Sequence, residues 1–460
     1  MKLLKFFHYD KSLATLETVQ GKQSLVKLFV PLLIEMILLN TMGTINTLML
    51  SNYSDAAVAA VGAASQIISM ILTFYSVIST GTSVVINHNL GAGKKKVASD
   101  AAFASILFCG VLSIVLGIFL SSYARPILGF MNLEPAVEDF AVTYFKIAIS
   151  FSFFQAITSS ISGIFRSYGK PKIAVAVSIA MNGMMAFLDY LIIFRPIELP
   201  LEGVSGIATA YVLSQLFGLS LMIICLKKIP LGLNFKEKNF KSLYILGKIL
   251  QIGVPSGVSS ISYSMSQVVS TSIVAILGTI AISTKIYVSN IVFYVYVVGM
   301  TLGMATSLLI GWMVGAKEYD KAYKLNIQNL KLTISMNIAF SLIIYVFAEP
   351  ILSCFTKDPA IIAMGKTLML IDIFVEIGRG FNHIEEFSLK GAGDVLYPMV
   401  ISMVSCWTMS ILFSYILGIH FGLGLAGCWI AFAMDEFFRG IAYFLRWRTK
   451  KWTTKTVSSP

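Results

Sequence analysis

Apolar positions along this chain come in long unbroken runs, separated by short polar or Gly/Pro-rich breaks. Twelve runs fall near residues 27–50, 57–80, 100–121, 138–162, 172–194, 204–226, 249–276, 283–313, 327–348, 361–386, 396–418 and 424–445. Each is close to the ~20 residues that carry an α-helix across a hydrocarbon core. A lone span of that length must satisfy its backbone internally, so the pattern predicts helices and not barrel strands.

The pattern repeats. Adding 224 takes Pro31 to Pro255, Thr47 to Thr271, Thr82-Ser83 to Thr306-Ser307, Gly91-Ala92 to Gly315-Ala316 and Gly169 to Gly393. The same offset takes the AxPIL run at Ala124–Leu128 to Ala348–Leu352 and Pro135-Ala136 to Pro359-Ala360. In the sixth spans the register slips by three, where Gly203-x-x-Gly206 matches Gly424-x-x-Gly427. Six crossings return a chain to its starting side, so two copies of six spans share one orientation. That predicts an all-α polytopic membrane protein with two six-helix lobes, related by a pseudo-two-fold along the membrane normal. The expected division is an N-terminal segment 1–26, an N-lobe 27–226, a linker 227–248, a C-lobe 249–446 and a tail 447–460.

Composition agrees with that class: 57% of residues are hydrophobic and 13% charged, too little polar surface for several water-soluble domains. The net charge of +12 is not a nucleic-acid signature, because the basic residues sit in short loops between apolar runs. With the N-terminus inside, 27 Lys/Arg lie in the inner segments or at the span ends that border them, and three lie outside, Arg125, Arg195 and Lys357. The positive-inside rule therefore predicts a multi-pass protein of the cell membrane with both termini cytoplasmic. The N-terminal stretch lacks a continuous apolar core and a cleavage site, and is expected to be retained as a cytoplasmic segment or interfacial helix. Cys109, Cys225, Cys354, Cys406 and Cys428 are scattered through apolar runs, which predicts buried thiols and no zinc site. Gly91-Ala-Gly-Lys-Lys-Lys96 lacks the spacing and the preceding strand of a phosphate loop, and reads as a tight cytoplasmic turn.

The tenth run carries charge where a span should carry none. On a helix, Asp372, Glu376, Arg379, His383 and Glu386 fall within an arc of roughly 80°, and Lys390 extends it. Ionisable groups at membrane depth face protein or a wet cavity. Glu376 and Arg379 are spaced to pair at i,i+3. The twelfth run supplies Asp435, Glu436 and Arg439, with Asp435 at the same depth as Arg379. Two functions fit this cluster: a site that takes up a proton or sodium ion, and a salt-bridge network stapling the tenth and twelfth spans. Arg379 and Arg439 read as counter-ions and His383 as a hydrogen-bonding residue. A single histidine without a second His or Cys makes no transition-metal site.

The stretch from Pro31 through DAAVAAVGAASQI, then LGAGKKK and FRSYGKPK, resembles the multidrug and toxic compound extrusion transporters. VGAKEYDKA, SLKGAGD and FGLGLAGCWIAFAMDEFFRG repeat the likeness in the second half. The resemblance implies secondary efflux of organic, often cationic, compounds by rocker-switch alternating access, with H+ or Na+ as coupling ion and no cofactor. Where many members carry a first-span aspartate, this chain has Asn46, which cannot be protonated. The fifth-span aspartate matches Asp189, while Met185 and Tyr211 stand where other members carry polar ligands. In the tenth span the family's acidic position falls on Arg379, three residues after Glu376.

Other candidates come from the residues alone. Glu35 lies one turn past Pro31, either a protonatable group on a bendable helix or a carboxylate paired with Lys27 or water. Asn40, Asn46, Gln155 and Asn182 are polar positions in the N-lobe that suit helix–helix hydrogen bonds. Tyr75, Phe154, Tyr263, Tyr287, Tyr294 and Tyr296 fall in spans expected to line a substrate cleft, where aromatic faces hold cationic rings. The expected function is a cation-coupled antiporter for small organic compounds, working as a monomer in the lipid bilayer, with no nucleic-acid partner. The alternative is a flippase for a lipid-linked or amphiphilic substrate. An enzyme is not expected: no HExxH, Ser/His/Asp set or nucleotide loop is present.

Overall fold

The computed structural model describes residues 9–18, 21–51, 53–131, 133–196, 202–228 and 241–457, and within these the side chains of 17, 18, 42–48, 55, 241 and 242 are not described. The linker expected at 227–248 therefore lies mostly outside the described residues. The helices are α1 (Leu25–Ser51), α2 (Asp55–Gly91), α3 (Lys95–Ser122), α4 (Ala124–Gly129), α5 (Pro135–Ser150), α6 (Phe153–Ser167), α7 (Pro171–Phe194) and α8 (Gly203–Lys228). There follow α9 (Lys241–Ile276), α10 (Thr279–Gly315), α11 (Tyr319–Val346), α12 (Ala348–Ser353), α13 (Pro359–Gly391), α14 (Leu396–Ser405) and α15 (Gly424–Arg448). After Ser405, α14 widens into π-helical turns over Cys406–Leu412 and Ser414–His420.

The 224-residue repeat is written into the element boundaries. α2 and α10 run from Asp55 to Gly91 and from Thr279 to Gly315; α3 and α11 from Lys95 to Ser122 and from Tyr319 to Val346. The short α4 and α12 begin at Ala124 and Ala348. Gly169 and Gly393 both take positive φ, 70° and 88°, a conformation that favours glycine. The copies differ in the fourth and tenth spans: α5 and α6 are bent by 49° at a short break, whereas α13 is continuous. Proline opens α5, α7 and α13, where its missing N–H costs nothing, and Asp358 caps α13 by accepting from the Ala360 N–H at 2.8 Å.

Seven of the described helices are long and apolar enough to cross a membrane, or eight when α5 and α6 count as one span. α13 and α15 do not meet that test, because Asp372, Glu376, Arg379, Glu385 and Glu386 lie in one and Asp435, Glu436 and Arg439 in the other. Outward apolar faces mark the others. On α3, Leu107, Val111, Ile114, Val115 and Ile118 are all more than 40% exposed at helical spacing, a stripe suited to lipid tails.

Two compact units divide the described chain. One holds Val30–Ile86 and Lys94–Gly257. Within it α2 and the start of α9 touch through glycines: a Cβ on Gly253 would lie 2.5 Å from the Val77 carbonyl oxygen. The other holds the residues up to Phe29, Asn87–Gly93 and the chain from Val258 on. Its core gathers Val274, Val288, Leu368, Met369, Val375, Leu425 and Trp429 from α9, α10, α13 and α15. In this unit α13 packs most extensively on α15, then on α10 and α11.

Before α1 the expected interfacial helix is not found among the described residues. Thr15–Thr18 (β1) pairs antiparallel with Gly21–Ser24 (β2), Thr15 opposite Ser24. The threonines of β1 favour a strand, and Gly21 opens β2 with a φ of +94°, a conformation that favours glycine. The cysteines are free thiols, and Cys109, Cys406 and Cys428 are buried as expected, but Cys354 is exposed at the end of α12.

Candidate ion and substrate site on α13 and α15

The polar stripe of α13 faces α15, and two glycines let the helices approach. A Cβ on Gly378 would lie 2.9 Å from Glu436 Cβ, and one on Gly440 would lie 2.5 Å from Phe381 Cβ. Small residues at such crossings let backbones close up where no water drives them together. The approach interleaves the charges. Arg379 pairs with Glu376 one turn back through Nη1, as its spacing predicts, and reaches Glu436 Oε1 from Nε at 3.6 Å. Arg439 donates to both carboxylate oxygens of Asp435, at 3.2 and 2.6 Å, and to Glu436 at 3.0 Å. Glu436, not Asp435, therefore joins the two helices.

Neutral donors complete the network. Ser405 donates to Asp435 Oδ1 at 2.6 Å, Asn382 to Glu436 Oε2 at 2.6 Å, and Asn337 of α11 to the Glu376 carbonyl at 2.9 Å and its Oε2 at 3.3 Å. Asp372 accepts the indole N–H of Trp429 at 3.1 Å. No Lys or Arg among the described residues pairs with Asp372, so it is the carboxylate of this group without an ion pair. Glu386 stands apart with Lys390 at 2.5 Å, and His383 lies edge-on to Tyr296, its Nδ1 buried without a partner.

A cavity of about 250 Å³ opens onto this network. Asp372, Arg379, Asp435 and Glu436 line it with Tyr263, Phe293, Tyr296, Trp429 and Phe432. The Arg379 guanidinium lies 5.4 Å from the Tyr296 ring centre and that of Arg439 lies 5.7 Å from Tyr263, both cation–π distances. Of the six aromatic cleft candidates, only Tyr263 and Tyr296 reach the cavity. Tyr75 is buried with its hydroxyl 3.2 Å from Ser152, Phe154 stacks on Phe151, Tyr287 packs on Phe355, and Tyr294 is 56% exposed on the outer face.

The other compact unit holds the remaining candidates. Glu35 is buried, and the cation it pairs with is Arg166 and not Lys27: Arg166 Nη1 reaches both carboxylate oxygens at 3.4 Å. Lys27 instead donates to the Lys22 carbonyl. Asp189 is 2% exposed, and its Oδ1 has no hydrogen-bond partner among the described residues. Asn182 donates one turn back to the Ser178 carbonyl at 2.8 Å, Gln155 Oε1 is buried unpaired, and Asn40 is exposed. Asn46 lies in α1 with its side chain outside the described residues.

Two functional candidates escaped the sequence reading. Lys285 of α10 lines the cavity, its Nζ donating to Thr271 Oγ1 at 2.9 Å and Ser270 Oγ at 3.4 Å. A lone lysine within an apolar run was the available signal. Glu385 is fully buried with both carboxylate oxygens unpartnered. Its side-chain neighbour is Asn326, which donates to Ser388 Oγ at 2.9 Å. Glu385 lies about 100° around the helix from Glu386, off the arc that the stripe occupies.

Comparison with known proteins gives a consistent picture. The MatE family profile matches residues 31–191 and again 255–416, two stretches that begin at Pro31 and Pro255. An uncharacterized transporter, YisQ of Bacillus subtilis, is 36% identical over 449 residues, covering 97% of this chain and 99% of that one. The probable multidrug resistance protein NorM of Thermotoga maritima is 26% identical over 454 residues, covering 96% and 95%. A solved multidrug resistance MATE family transporter of the MOP superfamily, in an outward-facing conformation, superposes with a TM-score of 0.85 at 20% identity, covering 97% and 96%.

Proposed function

Since the chain belongs to the MatE family of membrane transporters, we propose that it is a secondary antiporter, exporting small organic compounds against an inward flow of H+ or Na+. In this reading twelve spans form two six-helix lobes with both termini in the cytoplasm, and the lobes rock between outward- and inward-open states. The duplicated element boundaries and the charge bias of the loops support that arrangement.

The observation that carries the coupling is Asp372. Every other carboxylate on the cavity wall has an arginine within ion-pair distance among the described residues, and Asp372 has only the Trp429 indole. A carboxylate in a low-dielectric wall, answered by one neutral donor, gains most from a proton or a small cation. Binding there changes the charge of the α13–α15 pair, which lets an ion bias one packing over another. Arg379 and Arg439 hold the neighbouring carboxylates in place, so the salt-bridge network and the ion site are parts of one structure.

The chain in proteoliposomes, under separately imposed sodium and proton gradients, tests the proposal. Efflux of a fluorescent organic cation should follow one of the two gradients, and Asp372→Asn should remove that dependence. Flux that ignores both gradients would instead favour a flippase acting on an amphiphile.

A further inference from the structure

The tail after α15 has a firm base and a light tip. At the base, Trp452 is fully buried, stacks on Trp447 with ring centres 4.1 Å apart and donates its indole N–H to the Trp447 carbonyl at 3.0 Å. Lys450 adds an ion pair to Asp320 of α11 at 2.8 Å. The tip, Lys455–Val457, runs on to the turn after α13 and to the end of α2. A Cβ on Gly393 would lie 2.6 Å from the Lys455 carbonyl oxygen and 3.3 Å from Val457 Cγ2. Val457 is buried there, and its N–H donates to His88 Nδ1 at 3.2 Å.

His88 stands where α2 changes company. The helix runs unbroken from Asp55 to Gly91, yet its residues up to Ile86 belong to one compact unit and Asn87–Gly93 to the other. In that second unit the end of α2 crosses the end of α10 through a reciprocal pair of glycines. Gly91 lies on the Trp312 carbonyl and Gly315 on the His88 carbonyl, each too close for a side chain. The offset of 224 takes Gly91 to Gly315 and His88 to Trp312, so this is one contact made twice by equivalent residues.

The tail breaks that symmetry. His88 donates from Nε2 to the Gly391 carbonyl at 2.8 Å and accepts the Val457 N–H at Nδ1. Trp312, in the equivalent position, carries an indole that donates and cannot accept. Only the His88 side of the crossing can therefore receive the tail. A neutral hydrogen bond shifts an equilibrium by roughly two- to tenfold, so the tip can lift while the tryptophan base stays packed. Segments held by few contacts open locally, well below the cost of global unfolding. We propose that Lys455–Val457 is a releasable strap: it fastens the end of α2 onto α10 and α13, and lifting it frees that end to move.

The inference rests on the alternating-access reading only in taking the parting of these equivalent helix ends as the opening of the cytoplasmic side. Hydrogen exchange on the chain in nanodiscs, read peptide by peptide, tests the strap with neither substrate nor gradient. Removing residues 455–460 should speed exchange in peptides covering 87–93 by about three- to tenfold, the weight of one hydrogen bond, and leave α13 and α15 protected. Val457→Pro deletes the one donor to His88 and keeps an apolar side chain, and should act on the same peptides in the same direction. Unchanged exchange at 87–93 in either variant would overturn the proposal. So would an equal rise at 87–93 and across α13 and α15, which would make the tail ordinary packing. Should the shortened chain not fold, Val457→Pro decides alone. Efflux that ignores both gradients, with the exchange response intact, would refute coupling alone; coupled efflux without that response would refute the strap alone.

Discussion

Trp429 of α15 donates its indole N–H to Asp372 of α13 at 3.1 Å, and that neutral bond is the only hydrogen bond this buried carboxylate makes among the described residues. Four and seven residues further along the same helix, Glu376 and Arg379 pair, and Arg379 reaches Glu436 on α15. One wall thus holds an ion-paired network and an acid with no ion pair among the described residues, and the two should respond differently to substitution.

Asp372→Asn keeps an acceptor for Trp429 and loses only the charge. Its thermal unfolding midpoint in detergent should stay close to that of the unaltered protein, while gradient-driven efflux from proteoliposomes falls tenfold or more. Full coupled efflux in this variant would remove Asp372 from the mechanism.

Arg379 should matter to stability first. Arg379→Gln leaves Glu376 and Glu436 sharing less positive charge, and breaking a buried pair on one side costs about 3–5 kcal/mol. Adding Glu376→Gln to Arg379→Gln should recover part of that loss, because the orphaned carboxylate is then gone. A double-mutant cycle on denaturation midpoints measures the coupling, and strictly additive losses would contradict the pairing. Glu376→Gln alone should fold; if it also retains normal gradient dependence, Glu376 is a structural member of the network.

The α13–α15 crossing depends on two missing side chains. Gly378→Ala places a methyl 2.9 Å from Glu436 Cβ and Gly440→Ala places one 2.5 Å from Phe381 Cβ. Either should destabilise by about 1–3 kcal/mol through overpacking. The ion pair between Arg379 and Glu436, already long at 3.6 Å, should be the first interaction lost. Unchanged unfolding midpoints in both variants would show that the helices part without cost.

Glu385→Gln should stabilise the protein. Both Glu385 oxygens and the side-chain oxygen of its neighbour Asn326 lack hydrogen-bond partners among the described residues. An amide brings two N–H donors into that acceptor-rich cluster and removes a buried carboxyl, and one satisfied buried acceptor is worth about 1–3 kcal/mol. The check is a rise in the thermal midpoint; a fall would mean that the carboxyl has a binding role of its own.

The tail after α15 closes on the same compact unit. Trp452 is fully buried and stacks on Trp447 with ring centres 4.1 Å apart, and the Val457 N–H donates to His88 Nδ1 at 3.2 Å. His88 Nε2 faces the Gly391 carbonyl at 2.8 Å and so carries the ring proton. Trp452→Ala should cost about 3–5 kcal/mol, the usual loss for a buried tryptophan. Limited proteolysis would report it as earlier cleavage of the tail, and an unchanged cleavage pattern would count against the packing.

What the sequence determined by itself was local or repeated. Helix-length apolar runs, the 224-residue offset and the Glu376–Arg379 pair all follow from distances along one chain or one helix, where geometry is set by the backbone. The identity of the surplus acid was half legible: the stripe showed more carboxylates than arginines, but not which one would go unpaired. That was decided when Gly378 and Gly440 let α15 close on α13, which gave Arg379 to Glu436 and left Asp372 to Trp429. Glu35 found Arg166 and not Lys27 for the same reason, since the partner of a long side chain depends on which helix packs beside it. Lys285 reads in the sequence as one lysine in an apolar run. Only the packing of α9 and α15 around it turns that ammonium group into a charge on a cavity wall.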